Sequence, residues 1–112
     1  MYYLGIDLGG TNIAVGIVDE NFRIVRKGSV PTGATREADA IIADMGALCL
    51  RLLKEEHLTM ADVASVGVST PGSANSDTGI VEYANNLPFV FYPLAAKLGA
   101  ILGTDKVYIE ND

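Results

Sequence analysis

The sequence predicts an α/β domain built on one mixed five-stranded sheet. Three observations support this prediction: three short runs rich in β-branched and aromatic residues open the chain, two later segments have the apolar spacing of amphipathic helices, and a strand-like run follows each of them. The chain has 112 residues, of which 49% are hydrophobic and 20% charged, so it can form one core and is too apolar to be disordered.

Three strands are predicted first, over Tyr2 to Asp7, Asn12 to Asp19 and Arg23 to Val30. The turns between them contain Gly9-Gly10 and Asp19-Glu20-Asn21. Because both turns are short, we expect the three strands to be antiparallel. In the first turn the glycines are expected to use positive φ angles, which cost glycine no steric strain.

A long helix is predicted from Thr35 to His57, where apolar residues recur with helical spacing. Thr35 is the expected N-cap, and His57 is expected to end the helix rather than to act as a catalyst. The single cysteine, Cys49, lies on the apolar stripe and is interpreted as a core residue. One cysteine also excludes an intrachain disulfide and fits a reducing compartment.

The segment from Val63 to Ser69 is typical of a buried strand with cover on both faces. It ends at Thr70-Pro71-Gly72. A long loop rich in glycine, serine and asparagine follows, and its only strand-like piece is Ile80 to Ala84. Loops of this length in compact domains are usually functional.

The last two predicted elements are a helix from Pro93 to Leu102, which Gly103 stops, and a strand from Lys106 to Glu110. Three meander strands followed by helix, strand, helix and strand form the ribonuclease-H-like order, in which the later strands run parallel to the first.

The turn after the first strand carries the residue types that bind phosphate. Gly9 and Gly10 allow backbone N–H groups to converge on an anion, and Thr11 adds a hydroxyl donor. Asp7 would repel phosphate, but a carboxylate beside a polyphosphate is well placed to hold hydrated Mg²⁺. The alternative is a plain hairpin turn without a ligand.

The last strand delivers Asn111 and Asp112 at its carboxyl end, which is where ligands bind in open α/β sheets. An aspartate there can accept a proton from a substrate hydroxyl, and the neighbouring amide can bind a second hydroxyl. The alternative is that this pair begins a turn or caps a following helix.

Taken together, these motifs resemble the N-terminal half of ROK-family sugar kinases, of the bacterial glucokinase and fructokinase type. The resemblance rests on Asp7-x-Gly9-Gly10-Thr11, on Ser69-Thr70-Pro71-Gly72, on Tyr83 to Phe89 and on Asn111-Asp112, in the family's order. It covers all 112 residues and implies the actin-like and hexokinase-like ATPase fold. Asn12 stands where many relatives have lysine.

The resemblance implies transfer of a phosphoryl group from ATP to a hexose hydroxyl, normally the one on carbon six. Asp112 would be the general base, and Asp7 would hold Mg²⁺ through water. The sugar would be oriented by Asn86, Asn111 and the turn at Pro71 and Gly72. The phosphates would be bound by Gly9, Gly10, Thr11 and Asn12.

The resemblance also implies a C-terminal half beyond this chain, with a second phosphate segment, a cysteine-rich zinc motif and further sugar ligands. Residues 1–112 would then be the N-terminal domain of a longer kinase and would not turn over alone. We expect a homo-oligomer, most simply a dimer, in the cytoplasm. The net charge of −6 argues against a nucleic-acid partner, and no apolar run is long enough for a membrane span.

Two other functions remain open at this point. Sugar-responsive ROK transcription regulators share this domain but place a winged helix-turn-helix before it, whereas here Met1 and Tyr2 lead directly into the first strand and Asp112 is retained. A noncatalytic actin-like nucleotide-binding module is the second alternative, which the pairing of Asn86 with Asn111-Asp112 disfavours.

Overall fold

The structure is a computed structural model that describes residues 1–112. It contains eight strands and two helices, with one 3₁₀ turn at Met60–Asp62. In chain order they are β1 Tyr2–Leu8, β2 Asn12–Val18, β3 Ile24–Pro31, α1 Ala38–Glu55, β4 Val63–Thr70, β5 Ser73–Asn75, β6 Ile80–Tyr83, β7 Val90–Tyr92, α2 Leu94–Leu102 and β8 Val107–Asn111.

The predicted five-stranded mixed sheet is confirmed. Its strand order is β3-β2-β1-β4-β8, with β1, β2 and β3 antiparallel in sequence and β4 and β8 parallel to β1. The β1–β2 register pairs Leu8 with Ile13, which closes a tight turn over Gly9 to Thr11. This is the ribonuclease-H-like order that the sequence predicts.

One face of this sheet is covered and the other is open. The covered face carries the aliphatic residues of alternating positions, such as Ile6, Val15 and Val68, which belong to a core cluster of 24 buried residues under the two helices. The prediction of cover on both faces of β4 is wrong for this chain. The outward positions of β4 are Ser65, Gly67 and Ser69, all of which have small side chains or none.

The helices begin later than predicted. Helix α1 starts at Ala38, after Glu37 at the N-cap position with no side-chain cap, so Thr35 is not the N-cap. The cause is a turn before the helix, in which the Arg36 N–H donates to the Gly33 carbonyl. His57 does lie just past the helix end, at φ 58°. Helix α2 ends at Gly103 in the left-handed region, as predicted.

Cys49 is a core residue, as predicted. Its side chain is buried on α1, and burial raises the pKa of the thiol to about 12. At neutral pH it therefore stays protonated and unreactive.

A second sheet of three short strands, in the order β5-β6-β7, was not predicted apart from β6. Phe89 enters the core beside this sheet and its ring lies 5.1 Å from that of Tyr92. The Tyr92 hydroxyl donates to Asp39 Oδ1 at 2.7 Å, and Lys97 Nζ lies 3.7 Å from the same oxygen. This cluster joins β7, α1 and α2.

Neither α1 nor α2 has the length and apolar character of a membrane-spanning helix.

Candidate active site

The candidate site lies where three parallel strands end at the same edge of the five-stranded sheet. Strands β1, β4 and β8 finish at Leu8, Thr70 and Asn111. The register places Asp7 beside Ser69 and Thr70 beside Asn111. The two ends of the chain that the sequence singled out are therefore brought to one edge, as the ligand-binding rule for open α/β sheets requires.

The turn between β1 and β2 presents free backbone donors. The Gly9 N–H donates to the Asn12 carbonyl at 3.0 Å, while the N–H groups of Gly10 and Thr11 make no hydrogen bond within the chain. Both residues are exposed, and the Thr11 hydroxyl also has no partner. Three unpaired donors on consecutive residues form a concave site suited to an anion.

Gly9 is needed in this turn for space rather than for backbone angle, whereas no atom of the chain crowds Gly10. Neither has a positive φ, so the expectation of left-handed glycines here is wrong. A Cβ at Gly9 would lie 2.9 Å from the Asn12 carbonyl oxygen, which is too close. A Cβ at Gly10 would meet no atom within 4 Å, so the space beside Gly10 is open to a ligand.

Asp7 lies on the open face of β1 and is exposed, with no hydrogen bond or ion pair from its carboxylate. No group of three histidine, cysteine or acidic side chains in the chain could hold a metal ion directly. A single free carboxylate beside free N–H donors fits hydrated Mg²⁺ carried by a polyphosphate, because Mg²⁺ keeps most of its waters and takes only one or two protein carboxylates.

Asp112 follows β8 and is held by β4. Its N–H donates to the Thr70 carbonyl at 2.9 Å, and the Ser69 hydroxyl donates to its Oδ1. The second carboxylate oxygen, Oδ2, has no partner. A carboxylate with one oxygen fixed and one free is arranged to accept a proton in a defined direction.

The sugar-side residues that the sequence predicted lie around the second sheet. Asn111 Oδ1 accepts a hydrogen bond of 2.6 Å from the Ala74 N–H, so this side chain also attaches β5 to the end of β8. Gly72 lies at φ 82°, and a Cβ there would be 2.1 Å from the Tyr83 carbonyl oxygen. The turn at Pro71 and Gly72 is thus packed directly against the end of β6.

Asn86 lies in the loop near this turn. It is exposed at φ 59° in the loop after β6, two residues beyond Ala84, whose backbone packs on Gly72. It makes no hydrogen bond to Asn111 or Asp112. Asparagine tolerates the left-handed region better than other side chains, which explains this residue type locally.

A groove of about 620 Å³ runs across the open face from this edge. Its lining includes Asp7, Ser69 and Asn111. It includes neither Asn86 nor any residue of the turn from Gly9 to Asn12, hereafter the glycine turn. Of the predicted site residues, the groove is therefore lined by Asp7 and Asn111 alone.

Sequence reasoning missed the roles of Ser69 and Thr32. Ser69 positions Asp112, and the period of two in β4 together with parallel pairing could have placed it on the same face as Asp7. Thr32 is buried just after β3 and donates from its hydroxyl to the Gly9 carbonyl. Nothing in the local pattern distinguishes a buried loop threonine from an exposed one.

The fold and this edge define a domain of the actin-like and hexokinase-like ATPase class. Residues 3–112 match the model of the ROK family, and the chain belongs to that family. Among curated relatives it is similar to a glucokinase of Streptomyces coelicolor, 35% identical over 97% of this chain and 32% of the relative. It is also similar to an N-acetyl-D-glucosamine kinase of Yersinia pseudotuberculosis, 39% identical over 100% of this chain and 34% of the relative.

Solved structures of ROK family proteins share the fold of this chain. A ROK family glucokinase from Streptomyces griseus, in complex with glucose and AMPPNP, superposes with a TM-score of 0.85 at 31% identity, covering 99% of this chain and 33% of that one. A ROK family transcriptional regulator, a homologue of the E. coli MLC protein, has a TM-score of 0.85 at 18% identity over 99% of this chain and 28% of its own, which shows the shared fold alone. The chain spans about a third of the length of the curated relatives it matches.

Proposed function

We propose that this chain is the N-terminal domain of an ATP-dependent hexose kinase that phosphorylates a sugar hydroxyl, most simply the one on carbon six of glucose or a related hexose. The observation that carries the proposal is the juxtaposition at one sheet edge of a turn with free N–H donors and a carboxylate with a free oxygen. Phosphoryl transfer needs both, because the protein mainly positions the reactants and stabilises charge.

In this proposal ATP supplies the γ-phosphoryl group, accompanied by Mg²⁺. The N–H groups of Gly10 and Thr11 and the Thr11 hydroxyl bind phosphate oxygens, with Gly9 and Asn12 shaping the turn. Asp7 binds Mg²⁺ through water.

Asp112 accepts the proton of the sugar hydroxyl as its oxygen attacks the γ-phosphorus, and ADP leaves. Asn86, Asn111 and the Pro71-Gly72 turn bind the other sugar hydroxyls. The Asn111 amide nitrogen is available for this, because only its oxygen is used by Ala74. The relatives named for glucose and N-acetylglucosamine phosphorylation support a hexose as the acceptor.

Sugar-dependent ADP release by the full-length protein tests this proposal. We expect release above the rate without sugar for at least one of glucose, N-acetylglucosamine, mannose and fructose. We also expect release to stop when Mg²⁺ is chelated and to be lost in Asp112→Asn. The absence of sugar-dependent release across this panel, in a protein that is folded, would contradict a kinase.

The second candidate function is a sugar-responsive regulator, because a ROK regulator shares this fold. The contact of Asp112 with Ser69 supports the kinase instead, because a regulator needs no general base. Sugar-dependent DNA binding without ADP release would identify the regulator, and nucleotide binding with neither property would identify a noncatalytic module.

We further propose that the full-length protein is a cytoplasmic homodimer, with the zinc motif and the second phosphate segment of the family in its C-terminal part. The net charge of −6 supports a small-molecule partner over nucleic acid. Light scattering and zinc analysis of the full-length protein test these points.

A further inference from the structure

Thr32 is one of only two buried polar residues in the chain, with no exposed surface. It follows the last residue of β3 and makes two hydrogen bonds to the glycine turn. Its hydroxyl donates to the Gly9 carbonyl at 2.7 Å, and its N–H donates to the Thr11 carbonyl at 2.8 Å. The two bonds reach both sides of the turn.

These bonds determine which backbone groups the turn presents. Together with the Gly9 N–H, which bonds the Asn12 carbonyl, they engage the carbonyl groups of Gly9, Thr11 and Asn12 within the protein. The N–H groups of Gly10 and Thr11 are left free. A carbonyl oxygen pointing outward would repel a phosphate oxygen, so engaging three of the four carbonyls of residues 9–12 within the protein prepares the turn for an anion.

Thr32 is in turn attached to α1. Its carbonyl accepts a hydrogen bond of 2.7 Å from Arg36 Nη2, and Arg36 Nη1 lies 2.9 Å from Asp44 Oδ2 on α1. The glycine turn, otherwise a surface loop, is therefore connected through Thr32 and Arg36 to the long helix that covers the sheet.

We propose that Thr32 is a positioning residue for nucleotide binding: it fixes the glycine turn with its N–H groups outward, without touching the nucleotide itself. This inference rests on the proposed function of the turn. Fixing the donors before the ligand arrives removes the cost of ordering them on binding. A hydroxyl at this position is required, because valine has the same shape but would leave the part-buried Gly9 carbonyl without a partner.

The test is calorimetric titration of the full-length protein with a non-hydrolysable ATP analogue, which does not depend on turnover. We expect Thr32→Val to raise the Kd for the analogue about tenfold and Thr32→Ser, which keeps the hydroxyl, to stay within about threefold of wild type. The Kd for the sugar should not change in either. Thr35→Val is the matched control, since Thr35 is an exposed threonine of the same loop without a hydrogen bond.

A second variant covers the case in which Thr32→Val does not fold. Arg36→Met removes the donor to the Thr32 carbonyl from a half-exposed side chain and should raise the Kd for the analogue about threefold, with the Kd for the sugar unchanged.

The outcomes separate the two claims. If wild type binds the analogue and neither Thr32→Val nor Arg36→Met weakens it, the role of Thr32 is wrong while the proposed function stands. If Thr32→Ser binds the analogue as weakly as Thr32→Val does, or if the affinity for the sugar falls as much as the affinity for the analogue, Thr32 has only a structural role. If wild type does not bind the analogue at all, both the proposed function and this inference fail.

Discussion

The two sides of the candidate site are built differently. On the proposed phosphate side, backbone carbonyls of the turn from Gly9 to Asn12 are engaged by Thr32 and Gly9, and the N–H groups of Gly10 and Thr11 are left free. On the sugar side, Asn111 uses its own side chain to hold β5, and Gly72 fits only because it has no Cβ. Residues proposed to bind a ligand are thus separate from supporting residues on the first side and coincide with them on the second.

This difference predicts how each side responds to mutation. Changes to exposed groups of the phosphate turn should alter nucleotide affinity with little loss of stability. Changes on the sugar side should alter stability and sugar affinity together, unless the substitution preserves the backbone angle.

The largest expected effect is at Asp112, the proposed general base. In the full-length protein, Asp112→Asn should lower kcat by about 10²- to 10⁴-fold, because the general base is removed, while sugar binding persists. Asp105→Asn is the matched control, an exposed aspartate just before β8 that does not line the groove. Steady-state kinetics in which Asp112→Asn keeps more than half of the wild-type kcat would refute the assignment of the base.

The next largest effect is expected at Gly72. An alanine there combines a left-handed φ of 82° with a Cβ 2.1 Å from the Tyr83 carbonyl oxygen, so the free energy of unfolding should fall by about 2 kcal/mol or more. Gly103→Ala is the control, since Gly103 has a φ of 76° with no atom within 4 Å and should lose only about 1 kcal/mol. Denaturant unfolding compares the two; equal losses would show that the close approach to Tyr83 is unimportant.

On the phosphate side, Thr11→Val should weaken ATP use about tenfold without changing sugar affinity. A hydrogen bond to a charged group is worth about 1.5–3 kcal/mol, and the Thr11 hydroxyl has no other partner to lose. The measurement is the KM for ATP at saturating sugar. An unchanged KM and kcat would make Thr11 a turn residue only.

The smallest effect is expected at the Tyr92 cluster, which joins the second sheet to α1. The hydrogen bond from Tyr92, followed by the charge of Lys97, holds the pKa of Asp39 below its ordinary value. Because the pKa of Asp39 is lower in the folded than in the unfolded protein, its charge stabilises the folded state at pH values above the unfolded pKa of about 4. This contribution is lost as the pH falls through the folded pKa. Tyr92→Phe should therefore destabilise the protein more at pH 7 than at pH 3.

The control for that comparison is Tyr83→Phe, because the Tyr83 hydroxyl donates at 2.7 Å to Asn85 Oδ1, which does not titrate. Its effect on stability should be independent of pH. Thermal unfolding at both pH values checks the pair, and an equal effect of pH on the two variants would contradict the role of Asp39.

The regular elements of the fold were predictable because each is long enough for its apolar residues to show a repeating pattern. The five strands of the main sheet and both helices are examples, whereas β5 and β7, with three residues each, show no period at all. The start of α1 was misplaced because a turn held by Gly33 and Arg36 takes up the residues before it.

The proposed reacting groups could be selected from the sequence, whereas the residues that support them could not. Asp7, Thr11 and Asp112 carry their chemistry in the residue type, and the parallel strand order brings them to one edge. Ser69 and Thr32 act through contacts with residues 43 and 23 positions away in the chain, which only the tertiary structure reveals.

The most direct test of the division of the site is a crossed titration of the full-length protein. Thr11→Val and Asn86→Asp are each titrated with the non-hydrolysable ATP analogue and with the preferred sugar; aspartate is chosen because it tolerates the positive φ of position 86. We predict that Thr11→Val weakens only the nucleotide and that Asn86→Asp weakens only the sugar. Loss of both ligands in each variant, or of neither, would contradict a phosphate side and a sugar side at this edge of the sheet.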